Sequence, residues 1–215
     1  TDGKFYKLNA ASGVTEVFRG NQAKFPKLSA IVAEAGNVTI YDLTEVGRPM
    51  FDRWNLSIIG AVNAVHAVAG CVYIGAANGL LILDFPNGIG RFLQAGNDLN
   101  MSLTSQASPT LVYNGKSKYI SGNSVNLIAS TTLDGAPVDA FTGLCVPTIA
   151  LATSGGITVL KQDDTVASSS NASEFKRVRF DTKGALFADL GNAASSLYFA
   201  RKSTYLTNGF AVTPY

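Results

Sequence analysis

His66 is the first residue to weigh, because acid–base or metal chemistry near neutral pH most often runs through an imidazole. It is the only histidine in the chain and lies in Ala61-Val62-Asn63-Ala64-Val65-His66-Ala67-Val68. One histidine cannot build a two-histidine metal centre, and no cysteine or carboxylate cluster flanks it. A Ser/His/Asp hydrolase would need this same ring, and no Gly-x-Ser-x-Gly elbow precedes a helix. The sequence therefore reads His66 as a hydrogen-bonded strand residue.

Two carboxylates about 5–10 Å apart can hydrolyse a glycosidic bond. The adjacent pair Asp163-Asp164 sits in Lys161-Gln162-Asp163-Asp164-Thr165, a hairpin turn by composition. Aspartates in turns bond their own backbone, and neighbours on a strand point to opposite faces. No Asp-x-Asp-x-Asp-Gly spacing marks a calcium loop. Gly88-Ile89-Gly90 has no helix after it to aim amides at a phosphate, and reads as a loop. Cys71 and Cys145 lie 74 residues apart, each in an apolar run, and read as buried free thiols. The sequence predicts no catalytic residue, metal or cofactor, and hence no enzyme.

Exposed aromatic rings remain as binding candidates, since a ring face stacks on the C–H groups of a sugar. Trp54, in the polar inter-strand segment Phe51-Asp52-Arg53-Trp54-Asn55, is one; Tyr113 and Tyr119, flanking a Gly/Lys/Ser loop, are the others. A tryptophan wedged between two sheets is the plainer alternative.

The elements that would position these residues are β-strands. Apolar residues nowhere recur at i, i+3, i+4, i+7 over a dozen positions. Short turns are expected at most near Leu99 and over 193–196. Short β-type runs broken by Gly, Asn or Asp recur instead. Ala30-Ile31-Val32-Ala33 leads to Val38-Thr39-Ile40-Tyr41-Asp42. Cys71-Val72-Tyr73-Ile74-Gly75 leads to Leu80-Leu81-Ile82-Leu83-Asp84, and the arm ending Ile149-Ala150-Leu151-Ala152 leads to Ile157-Thr158-Val159-Leu160-Lys161. A looser copy pairs Leu197-Tyr198-Phe199-Ala200 with Thr204-Tyr205-Leu206, and a weaker one centres on Leu111-Val112-Tyr113.

Gly36 to Gly79 is 43 residues, and Gly79 to Gly155 is 76, close to twice 38. Periods near 40–50 residues with several strands each are typical of propeller blades. The first arms end on Ala33, Gly75, Ala152 and Ala200, small residues suited to a crowded channel. These features predict an all-β, five-bladed β-propeller over residues 1–215 as a single domain. The outer hairpin Lys4-Phe5-Tyr6-Lys7-Leu8 with Val14-Thr15-Glu16-Val17-Phe18 is expected to combine with the C-terminal strands and close the ring. The start, Thr1-Asp2-Gly3-Lys4, reads as a cut from a longer chain.

Composition narrows the partners little. The chain is 47% hydrophobic and 15% charged, with net charge +2 from 17 basic and 15 acidic residues. Its polar surface is built from Ser, Thr and Asn, which suits extracellular or assembly-embedded proteins. The basic run Lys176-Arg177-Val178-Arg179 is too narrow for a nucleic-acid surface. No apolar run reaches the length of a membrane span.

The stretch Val138 to Lys161, with Thr153-Ser154-Gly155-Gly156 at its centre, resembles blades of bacteriophage tail-fibre and virion appendage proteins. The opening Gly3 to Val17 is similar to units of phage tail hub or nozzle proteins. The resemblance implies a non-enzymatic virion module, structural or receptor-binding. Its partners would be other virion chains in an oligomeric assembly and a host-surface glycan or receptor, without nucleic acid or membrane insertion. A secreted, lectin-like propeller is the alternative, although no polar-aromatic set recurs from repeat to repeat.

Overall fold

The computed structural model describes residues 4–9, 13–18, 28–34, 37–44, 50–55, 59–102, 112–113, 119–140, 142–169, 173–191, 197–206 and 209–214. These form strands in five antiparallel sheets. β1 (Lys4–Asn9) and β2 (Gly13–Phe18) make a two-stranded hairpin. β3 (Ser29–Glu34), β4 (Asn37–Asp42) and β5 (Met50–Asn55) make a three-stranded sheet.

A six-stranded meander follows, from β6 (Val62–Val68), β7 (Cys71–Ala76), β8 (Gly79–Asp84), β9 (Ile89–Gln94) and β10 (Asn97–Ser102) to the short β11 (Val112–Tyr113). β12 (Val125–Thr131), β13 (Thr148–Thr153), β14 (Gly156–Leu160) and β15 (Val166–Ser168) form a four-stranded sheet. The last sheet holds β16 (Arg177–Phe180), β17 (Leu186–Asp189), β18 (Leu197–Ala200) and β19 (Thr213–Pro214). A single-turn helix, α1 (Lys202–Tyr205), separates its final two strands.

The apolar run of β8 explains how these sheets meet. Alternate residues on a strand point to opposite faces. Leu81 and Leu83 pack with Val38 and Ile40 of the three-stranded sheet. Leu80 and Ile82 pack the other way, with Val125, Ile128 and Leu151 of the four-stranded sheet. β13 is two-sided as well: Ile149 and Leu151 join that second core, while Ala150 and Ala152 join Val178, Leu186 and Ala188 of the last sheet. Each fully buried leucine contributes roughly 1.5–3 kcal/mol of transfer free energy. A strand covered on both faces needs no polar alternation, which is why β8 and β13 read as unbroken apolar runs.

The all-β class holds, but the five-bladed β-propeller does not. The sheets carry 2, 6, 4, 4 and 3 strands, and none is closed. The ends of the chain do not share a sheet: β1 pairs with β2, whereas β18 is flanked by β17 and β19. Successive sheets stack face to face, as the layers of a β-sandwich do. The small residues answer to that stacking instead of to a channel. A Cβ on Gly75 would lie 2.7 Å from Val125 Cγ1 in the facing sheet, and one on Gly155 would lie 2.1 Å from the Ser121 carbonyl oxygen. Ala33, expected in a crowded inner position, is exposed.

Other local expectations shift too. Thr204 and Tyr205 fall in α1, not a strand, and Tyr205 is fully buried. Leu99 lies within β10, not a turn. Val112-Tyr113 extends the six-stranded sheet and forms no hairpin of its own. Ile89-Gly90, expected in a loop, begins β9. The turn expected over 193–196 lies outside the described residues.

Candidate functional site

The residues judged by their chemistry land as follows. His66, on β6, has Nε2 2.8 Å from Ser130 Oγ on β12 in the next sheet. Partial burial lowers its pKa below 6.5. Its role is a joint between layers. Asp163 is a turn residue whose Oδ1 accepts from the Thr165 amide at 3.0 Å and hydroxyl at 2.6 Å. Its neighbour Asp164 adopts φ 63°, a conformation Asp tolerates in turns.

The three aromatic candidates fall on three different elements. Trp54 stands on β5, opposite Val38, and not in an inter-strand segment. Tyr113 lies on β11 opposite Leu99. Tyr119 precedes β12 and is exposed.

The concave feature of the described residues lies elsewhere. A cleft of about 300 Å³ opens between β7–β9 on one side and β13–β14 on the other. The segment 139–147 and the turn 161–166 form its rim. Its apolar walls include Ile82, Leu93, Ile149 and Leu160.

Polar groups converge on this apolar base. Arg91, on β9, donates from Nη2 to Asp98 Oδ2 at 3.0 Å and from Nη1 to Asp164 Oδ1 at 2.7 Å. Asp98, on β10, is fully buried, so the first pair anchors a charge inside the sheet, while the second reaches across the cleft. Burial opposes the charge on Arg91, yet the hydrogen bond and charge of Asp164, with those of Asp98, hold its pKa above the ordinary value. Arg91 is permanently cationic. Its Nε is buried with no hydrogen-bond partner, and so is Gln162 Nε2.

Carboxylates complete the rim. Asp84 accepts from the Asn87 amide at 3.1 Å and from Asn87 Nδ2 at 2.8 Å. Asp139 Oδ1 accepts from the Thr142 amide at 2.8 Å and hydroxyl at 2.9 Å. These bonds fix both carboxylates to their own loops.

Both cysteines line the cleft, and neither is in a disulfide. Cys71 is half-buried and Cys145 is exposed, against the expectation of two buried thiols. Burial, reinforced by the Asp84 charge, pushes the Cys71 thiol up to about 12, so it stays protonated and is a poor nucleophile. Burial likewise raises the Tyr73 phenol. The walls therefore present neutral thiol and phenol, fixed carboxylates, and donors from Arg91 and Gln162. Such a set binds; it has no poised acid–base pair. Among the described residues, no group of three or more His, Cys, Asp or Glu could hold a metal ion. No helix among them is long and apolar enough to cross a membrane.

Sequence reasoning passed over this cleft. Its visible trace is Arg91 inside Ile89-Gly90-Arg91-Phe92-Leu93, a charge on an otherwise apolar strand. A charge so placed must be paired when the strand is buried. The partner Asp98 sits seven residues on, across the β9–β10 turn.

No protein-family model matches the chain, and no curated protein matches it. Solved structures show a distant likeness. One is the extracellular domain of a hybrid two-component system from B. thetaiotaomicron, with a TM-score of 0.36 and 10% identity over 86% of this chain and 34% of that one. A second is PorZ, a surface component of the type-IX secretion system of Porphyromonas gingivalis, with 0.37 and 13% over 100% and 30%. A third is Hsv2p of Kluyveromyces lactis, with 0.33 and 12% over 98% and 76%. The chain spans about a third of the length of the first two. Likeness at this level assigns neither fold nor activity.

Proposed function

We propose that the chain is a non-enzymatic module of a bacteriophage tail or virion appendage, serving assembly or host-receptor binding within an oligomer of virion chains. The sequence resemblance of Val138 to Lys161 to tail-fibre proteins is the starting point. The observation that carries the reading is where the apolar surface falls. Within that same stretch Val138 and Leu144 are 62% and 51% exposed, on a small loop closed by the Val138–Cys145 bridge. Ile89, on the cleft wall near this loop, is 44% exposed. Large apolar side chains grouped at the surface suit contact with another protein chain.

The test is retention of the fluorescently labelled chain on intact bacteria, together with co-purification when it is co-expressed with phage tail chains. Either signal, lost in Val138→Ser/Leu144→Ser at unchanged melting temperature, supports the reading. Failure of both for the wild-type chain overturns it. A second reading, a secreted glycan-binding module, is favoured by the mixed donors and acceptors of the cleft.

A further inference from the structure

We infer that the cleft between β7–β9 and β13–β14 is a binding site for one neutral, polyhydroxylated sugar ring. The inference rests on the receptor-binding reading above and names the ligand class for it. Three features of the cleft carry it.

The first is unmet hydrogen bonding. Arg91 Nε and Gln162 Nε2 are buried N–H donors lining the cleft, and neither has a partner in the protein. A buried donor left unpaired costs roughly 1–3 kcal/mol. A ligand bringing oxygen acceptors removes that cost. The two donors stand on different walls, β9 and the 161–166 turn, so one compact ligand with several oxygens can serve both.

The second is charge. Arg91 and Lys161 face Asp84, Asp139 and Asp164 around the rim, with Asp98 buried behind Arg91. Carboxylates outnumber cations four to two, so a carboxylate, sulfate or phosphate ligand meets net repulsion. A simple cation would be attracted but would leave both N–H donors unmet. A hydroxyl accepts from an N–H and donates to a carboxylate at once, without charge. An array of hydroxyls fits both walls.

The third is size and base. About 300 Å³ is the lower end of small-ligand sites, suited to a single ring. Ile82, Leu93, Ile149 and Leu160 supply apolar wall for the C–H groups of that ring.

The experiment is calorimetric titration of the whole chain with galactose, glucose and N-acetylglucosamine, with N-acetylneuraminic acid and glycerol as separate arms. The expected result is saturable binding of at least one neutral sugar, with Kd on the order of 1 mM. Gln162→Leu, at a half-exposed turn position, should weaken that binding at least tenfold with the fold unchanged by circular dichroism. A readout on the unaltered chain accompanies it: the bound sugar should slow N-ethylmaleimide alkylation of Cys145 at least threefold.

No binding or protection by any neutral sugar overturns the inference. So does preference for the anionic sugar, or binding that Gln162→Leu leaves untouched. Retention on bacteria without sugar binding defeats the cleft assignment alone. Sugar binding without retention or co-purification defeats the virion reading and leaves the cleft standing.

Discussion

Asn63 and Asn126 perform the same act in successive sheets. Each sits at a register shift in the first strand of its sheet, between Val62 and Ala64 on β6 and between Val125 and Leu127 on β12. Each donates from Nδ2 to a backbone carbonyl of the next layer. Asn63 reaches Val125 at 3.2 Å, and Asn126 reaches Phe175 at 2.7 Å. A β-bulge re-aims the side chain it carries, and here both bulges turn an asparagine toward the neighbouring sheet. Replacing either with Ala should cost about 1 kcal/mol, with Asn126→Ala the larger, since it strands the carbonyl of fully buried Phe175. Urea denaturation of the two single variants checks the order.

The close approach at Gly75 yields a second expectation. Gly75→Ala places a methyl 2.7 Å from Val125 Cγ1, where both facing backbones are held by their own sheets. The overpacked variant should lose roughly 1–3 kcal/mol. Adding Val125→Ala should recover part of the loss, because the two residues share one contact. Equal stability of single and double variants would contradict the close packing.

Arg91 and Asp98 form a pair in which removing one member is worse than removing both. Arg91→Met leaves the fully buried Asp98 without this cation and should cost about 3–5 kcal/mol. The double variant Arg91→Met/Asp98→Leu should be markedly more stable than the single one. Thermal melts of the three proteins decide it.

Acid should weaken the fold partly through His66. Burial lowers its folded pKa below 6.5, so the unfolded ring binds a proton more readily than the folded one. Its contribution is therefore complete above pH 6.5 and is lost as pH falls through 6.5 toward the lower folded value. Urea midpoints measured from pH 7.5 down to 5.5 should decline, and His66→Gln should flatten the decline.

Thr148 offers a change in the opposite direction. Its Oγ1 is buried without a hydrogen-bond partner, on a fully buried residue at the start of β13. Thr148→Val keeps the shape and removes the unmet hydroxyl, so stability should hold or rise by about 1 kcal/mol. A lowered melting temperature would show that the hydroxyl has a partner after all.

The strands of this chain are legible where the chain decides them locally. β7–β8 and β13–β14 follow from apolar runs broken by Asn78-Gly79 and Gly155-Gly156, and both hairpins are present. The assembly of those hairpins was not legible. Spacing along the chain reports how often strands recur, while the relation between layers depends on Gly75 against Val125 and on alternate residues of β8 reaching two different cores.

Tertiary contacts overrode local signals elsewhere. Asn97-Asp98-Leu99-Asn100 looks like a polar turn, yet Arg91 draws Asp98 inside and keeps the segment in β10. Tyr205 was expected on a strand, but its hydroxyl donates to the Gly184 carbonyl, and the chain coils into α1 to bring it there. The cleft was least visible of all. Its donors are ordinary residues, and only three-dimensional packing strips Arg91 Nε and Gln162 Nε2 of water.

The acceptors used by Asn63 and Asn126 are main-chain oxygens, which every amino acid possesses. The receiving positions, Val125 and Phe175, are thus free to vary in type without loosening the fastening. Such a coupling is indifferent to what its recipient is made of and to how many times it is used in succession. Gene segments encoding one tier could be duplicated or deleted, and the remaining tiers would still find their fasteners.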